Sequence, residues 1–147
     1  MSIFSSLKIT GSALTAERLR MDVIAGNVAN IDTTRSSDGG PYKRREVVLS
    51  EAPSPETVNA GFGPSFGQGN LPGGVQVAGI VAENGVRLVN DPSNPDADAN
   101  GNVAYPDIDI VHEMTSMMSA VRAYEASVTV ANAAKSMAMK ALDLGKG

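Results

Sequence analysis

Apolar residues recur at helical intervals at both ends of the chain, while the residues that break helices are concentrated between them. Near the start, Leu7, Leu14, Met21 and Val28 repeat every seven residues, with Gly11, Ile24, Ala25 and Ile31 at the intervening three- and four-residue steps. Near the end, Met114, Val121 and Val128 keep the same spacing, flanked by Met117, Tyr124, Ala131, Ala138 and Leu142. All eight prolines fall from Pro41 to Pro106, and 11 of the 15 glycines lie between residues 35 and 106. The pattern predicts two long terminal helices separated by a region of turns and short strands.

The first helix is expected over about residues 5 to 30, on the order of 40 Å long. Gly11 and Gly26 each cost it about 1 kcal/mol relative to alanine. That points to close backbone packing at those places, or to a helix that is marginal until it docks. Asn27 and Asn30, followed by Asp32-Thr33-Thr34, mark the exit. The second helix follows Pro106, with Asp107 or Asp109 as its N-cap and Glu113 near the first turn, where negative charge suits the helix dipole. It runs free of Pro and Gly to Leu144, on the order of 50 Å, a length that implies a coiled-coil-like partner. The first helix is the obvious one.

Between them, Val75 to Ala82 reads as a strand, Asn84-Gly85 as a two-residue turn, and Val86 to Val89 as the returning strand of a β-hairpin. Glu46 to Leu49 is expected to supply a third strand, because an isolated hairpin is only marginally stable. Residues 53–74, rich in Ser and Pro and then in Gly, with Phe62 and Phe66, read as a loop. The expected fold is mainly α with a small β insertion. Residues 1–34 form an N-terminal helical arm, 35–106 a Gly/Pro-rich middle region with the β-hairpin, and 107–147 a long C-terminal helix that pairs with the arm in a coiled-coil-like stem.

Composition narrows the function. Only 4% of the 147 residues are aromatic and none is Trp, so large core anchors are scarce and much of the apolar content is Ala, Val and Met. A net charge of −4 with no basic helix gives little to attract a phosphate backbone, and nucleic acid is not an expected partner. The one basic run, Lys43-Arg44-Arg45, is followed at once by Glu46 and reads as a solvated strand start. There is no Cys, hence no disulfide or thiolate site, and no apolar run reaches the roughly 20 residues that membrane insertion requires. The first residues lack the basic lead and apolar stretch of a cleaved secretory signal.

Catalysis finds little to use. His112 and Glu113 are adjacent on a helix and diverge by about 100°. No nucleophile elbow, Walker loop or paired-His site is present, so neither an enzyme nor a bound cofactor is expected. Asp96, Asp98, Asn100, Gly101, Val103 and Asp107 do occupy positions one, three, five, six, eight and twelve of a calcium-loop pattern. Against it, Pro92 and Pro95 deny the loop its entering helix, and an Asx-type turn is the plainer reading. The methionines at 114, 117, 118, 137 and 139 have core or subunit-contact spacing, and adjacent Met117 and Met118 cannot face the same way. This helix is therefore expected to be buried on more than one side.

The run from Val23 to Thr34, with Asn27, Ala29, Asn30 and Thr33, resembles the signature of bacterial flagellar rod and hook proteins, whose first helix ends in an Asn-rich segment before Gly-Tyr. Asp91 to Asp98, His112-Glu113-Met114, the Arg122-Ala123-Tyr124-Glu125 run and Ala133 to Met137 are similar to the proximal members of the basal-body rod family in particular. The segment from Arg35 to Pro41 departs from it by delaying Tyr42.

The resemblance implies a structural rod subunit of the bacterial flagellum that self-assembles with other axial proteins into a helical drive shaft. Its partners would be other flagellar rod proteins, copies of itself, rod-base adaptor and membrane-ring proteins, and the flagellar type III export apparatus. Its location would be the periplasmic rod of the basal body, reached without a cleaved signal. The assembly contacts are expected on Leu7, Gly11, Leu14, Met21, Ile24, Val28, Ile31, Met114, Met117, Val121, Tyr124, Val128, Ala131, Ala138 and Leu142. Both termini are expected to be largely disordered before assembly, because isolated arms bury too little apolar surface to offset chain entropy. The alternatives are a secreted calcium-binding or adhesive module and a helical export chaperone or adaptor.

Overall fold

A computed structural model of the chain describes residues 3–37, 39–52 and 73–145. The segment expected to be a loop around Phe62 and Phe66 lies outside the described residues. The elements in chain order are α1 (Ile3–Ala29), β1 (Arg44–Glu51), β2 (Val75–Glu83), β3 (Val86–Asn90), β4 (Asn102–Pro106) and α2 (Ile110–Leu144). The fold is mainly helical with a small β insertion, as the periodicity predicts.

The helix ends follow local chemistry. At the exit of α1, the Asn30 side chain donates to the Gly26 carbonyl at 2.8 Å, and its backbone N–H reaches the Gly26 and Asn27 carbonyls, each at 3.2 Å. Asp109 is the N-cap of α2, its Oδ1 accepting from the Val111 N–H at 2.9 Å. The helix stops where Gly145 donates to the Ala141 carbonyl.

The strands depart from expectation in one respect. β2 and β3 are separated by Asn84-Gly85 alone, yet they do not pair: β2 lies beside β1, and β3 pairs antiparallel with β4, Val86 opposite Pro106 and Asn90 opposite Asn102. The two-residue hairpin is thus incorrect, and the hairpin of the middle region is β3–β4. A type I′ turn needs positive φ at both central residues, and among the described residues the glycines with positive φ are Gly39, Gly40, Gly74 and Gly101, not Gly85. Gly85 serves a close approach instead. A Cβ there would lie 2.9 Å from the Asp107 Cβ, and its carbonyl accepts from the Asp107 N–H.

β4 takes up residues 102–106 of the calcium-loop pattern, and the carboxylates of Asp96 and Asp98 are otherwise engaged. Asp96 pairs with Arg35 at 2.6 Å and accepts from Thr34 Oγ1 at 2.7 Å. Asp98 Oδ1 accepts from the N–H groups of Asn100 and Asn102, both at 2.8 Å, in an Asx turn closed by Gly101 at φ 77°.

The chain divides into two compact units. One takes in the start of α1 up to Arg18, residues 49–78 and α2 from Val121 onward; the other takes in 19–48 and 79–120. In the first, the buried side chains among the described residues are Thr10, Ala16 and Ala134. There Gly74, at φ 110°, backs onto α1 so closely that a Cβ would meet Ser12 Oγ at 2.5 Å. The same hydroxyl accepts from the Val75 N–H at 3.0 Å and fixes the start of β2 on the helix. In the second unit, Ile24, Val103, Ile108 and Ala120 are buried together with two polar side chains, Asn27 and Glu113.

Candidate assembly surface and the polar clasp beside it

Within the second unit the end of α1, the start of β1 and the first turn of α2 meet around Asn27, which is fully buried. Its amide uses four hydrogen bonds. Nδ2 donates to the Arg45 carbonyl at 2.8 Å and to Glu113 Oε2 at 3.1 Å; Oδ1 accepts from the Arg45 N–H at 2.9 Å and from the Tyr42 hydroxyl at 3.2 Å. Two donors and two acceptor sites are all a carboxamide has, so the group is saturated.

Glu113, 1% exposed, is held on its other oxygen by Arg44 Nε at 2.8 Å. Arg44 Nη1 continues to Glu83 at 3.0 Å and to Glu46 at 3.4 Å. Burial works to lower the Arg44 pKa, but its hydrogen bonds and charge interactions with Glu113 and Glu83 outweigh that, and the net shift is upward. The guanidinium stays charged. A buried pair of this kind adds little net stability, but removing one partner strands the other, so it fixes which residues face each other.

The basic run is therefore not uniformly solvated. Arg44 is an inward partner, and Glu113 is a buried ligand of that partner as well as a first-turn acid. Both roles were missed in the sequence, where the available signal was a carboxylate seven residues before Ala120, on the face of α2 that proves to be buried.

The family-motif residues divide. Asn27 builds the clasp and Asn30 caps α1. Thr33 donates from Oγ1 to Asn30 Oδ1 at 3.2 Å and accepts the Tyr42 N–H at its carbonyl. The delaying segment is taken up as a turn, with Ser36 donating to the Gly40 carbonyl at 2.7 Å, and Tyr42 still reaches Asn27. Ala29, Arg122 and Glu125 are exposed and Tyr124 is half-buried.

The expected contact residues also divide. Ile24 is buried; Leu7, Leu14, Met21, Val28, Ile31, Met117, Tyr124, Ala131 and Ala138 are half-buried; Gly11, Met114, Val121, Val128 and Leu142 are exposed. Close packing at Gly11 and Gly26 is not found among the described residues. A Cβ at Gly11 would meet nothing within 4 Å, and one at Gly26 only the Tyr42 hydroxyl at 3.9 Å.

In α2 the covered face runs Glu113, Met117, Ala120, Tyr124, Ser127, Ala131, Ala134 and Ala138, alternating steps of four and three residues. The Met114, Val121 and Val128 column lies one residue round from it and faces outward. Ile24, Val28, Val111, Met114, Met117 and Met118 line an apolar groove of about 690 Å³ within the second unit. Further along, Val130, Met137, Met139, Leu142 and Leu144 are between 50% and 84% exposed.

Residues 7–35 match the family described as flagella basal body rod protein, and residues 99–144 match the C-terminal region described for the flagellar basal body rod proteins FlgEFG. The chain is 44% identical to the flagellar basal-body rod protein FlgC of Bacillus subtilis, an alignment that covers 99% of this chain and 100% of that protein. Identity is 40% to FlgC of Borreliella burgdorferi, over 100% of both chains, and 40% to FlgC of Salmonella typhimurium, over 99% of this chain and all of that one. The saturated Asn27 and the outward apolar column of α2 are thus features of a chain that belongs to the FlgC family of flagellar basal-body rod proteins.

Proposed function

We propose that this chain, a structural subunit of the flagellar basal-body rod, builds the proximal part of that rod by packing its terminal helices against copies of itself and against other rod proteins. The observation that carries this reading is the exposed apolar surface of α2, where Met114, Met118, Val121, Val128, Met137 and Leu142 are 36–69% exposed. Large apolar side chains left exposed in this number along one helix mark an interaction site. Residues 1–34 and 107–147 act as the packing arms in this reading, and 35–106 as the clasped middle. A head-to-tail contact whose rotation does not close extends such subunits into an open helical shaft.

The finer partners follow from the same reading: rod-base adaptor and membrane-ring proteins at the proximal end, and the flagellar type III export apparatus that delivers the chain without a cleaved signal to the periplasmic rod. The role is architectural, with no reaction.

The test is electron microscopy of basal bodies from a strain lacking this chain, beside its complemented parent. Membrane rings without rod or hook are expected. Intact rods and hooks would overturn the reading.

A further inference from the structure

We propose that a basic cleft at the exit of α1 receives the Asp107-Ile108-Asp109 corner of a second copy of this chain, an inference that rests on the rod-subunit reading. The cleft has a volume of about 480 Å³ and is lined by Asn30, Thr33, Arg35, Tyr42, Lys43 and Arg45, among others. Alternate residues of an extended chain point to opposite sides. Arg44 turns inward to Glu113, while exposed Lys43 and Arg45 flank it on the cleft side, about 7 Å apart along the strand direction.

Among the described residues, neither Lys43 nor Arg45 has a carboxylate partner: Arg35 pairs with Asp96, and Arg44 with Glu46, Glu83 and Glu113. Arg45 is also held in place. Its backbone N–H and carbonyl are both bonded to the Asn27 side chain, and its guanidinium lies over the Tyr42 ring, 5.5 Å from the centroid. Cations ordered in advance lose less freedom on binding.

The complementary ligand is an extended segment with carboxylates two residues apart, and the chain displays one. Asp107 and Asp109 are both exposed and flank Ile108, which is 8% exposed and anchors the corner. The other such pair, Asp96 and Asp98, is engaged at both members, Asp96 by the Arg35 cation and Thr34 and Asp98 by two backbone N–H groups, whereas in the first pair Asp109 gives Oδ1 to the single Val111 N–H of its cap. A cleft on one copy and an acidic corner on the next make a heterologous contact, the kind that propagates without closing.

The chain has no Cys, which allows a clean proximity test. Lys43→Cys and Asp107→Cys chains are co-expressed in a deletion strain, and isolated basal bodies are treated with a short bismaleimide crosslinker. A covalent dimer is expected only when both variants are present. Basal bodies that contain both variants and yield no dimer overturn the proposal.

Charge reversal supplies a second readout. Lys43→Glu with Arg45→Glu is expected to lower incorporation roughly tenfold, because juxtaposed like charges are repulsive, and adding Asp107→Lys is expected to recover a good part of it. Unchanged incorporation, or a loss that Asp107→Lys leaves untouched, overturns the pairing. The rod-subunit reading fails by a different result, absence of the unaltered chain from isolated basal bodies.

Discussion

The two long helices are near opposites in what they leave to solvent. α1 is covered or half-covered at every described side chain from Ser5 onward except one seam, Lys8, Gly11, Thr15, Arg18, Asp22, Ala25 and Ala29, which is polar or small throughout. α2 is the reverse, exposed except for a covered face dominated by small side chains, with large apolar residues on the outside. Both seams step by three and four residues, so both helices carry coiled-coil periodicity, but they spend it differently. α1 satisfies its apolar positions within the chain; α2 holds a second apolar surface in reserve. The first is built for folding and the second for assembly, and substitutions that act on one without the other separate the two.

The largest effect is expected at the clasp. Glu113→Ala leaves Arg44, whose side chain is 15% exposed, and Asn27 without their shared partner. Loss of one member of a buried pair costs about 3–5 kcal/mol, a large fraction of what a small domain has. Denaturant unfolding followed by circular dichroism is expected to show it. A loss under about 1 kcal/mol would mean that the clasp does not fix the helix ends. Asn27→Ala is next. It strands the Arg45 backbone groups and the Tyr42 hydroxyl, and with an unsatisfied buried polar group costing roughly 1–3 kcal/mol, a loss of about 2 kcal/mol is expected by the same measurement.

The helices, the α2 cap as a choice between Asp107 and Asp109, and the β1 strand were legible because they depend on local rules: a 3.6-residue period, exclusion of Pro, an Asp before an apolar run. The pairing of β2 and β3 was not, because Asn84-Gly85 is a local signal and partner choice is a long-range one. Here Gly85 is used to admit Asp107, a demand from 22 residues away that no window around the turn contains. β4 was hidden for a related reason, since Asn102 to Pro106 sits between an Asx turn and a helix start and looks like more of the same loop.

The clasp was hidden by sufficiency. Arg44 had an adequate reading as one of three basic residues beside Glu46, and Glu113 had one as a first-turn acid. Only the joint fact that Glu113 stands in line with Ala120, Ser127 and Ala134 points to a buried charge that needs a cation.

A smaller effect, of opposite sign, is expected at the open seam of α1. Gly11→Ala meets nothing within 4 Å, so the free chain gains about 1 kcal/mol of helix stability. Because nothing among the described residues calls for glycine there, incorporation into the rod is expected to fall as the added methyl meets a neighbour's backbone. A stabilised chain that assembles normally would place this seam against open solvent, and the contrast between the helices would then hold on one side only.

The smallest effect on the free chain, and the most telling, is expected from Val121→Asp. Val121 is 37% exposed and lies on the outward column of α2, and Val and Asp have nearly equal helix propensities. Unfolding of the free chain is expected to change by less than about 0.5 kcal/mol, as for surface substitutions in general. In the rod the same carboxylate would be buried without a partner, at a cost of several kcal/mol repeated at every copy. Motility in soft agar is therefore expected to be lost while the purified protein is unaltered. Leu14→Asp gives no such separation, because Leu14 is half-buried within the chain and folding and assembly suffer together. If Val121→Asp swims normally, the outward column is not a contact, and the exposed apolar face of α2 loses its role as the surface that joins subunits; if it swims poorly but also melts early, the column belongs to the fold, and α1 and α2 differ less than their exposures indicate.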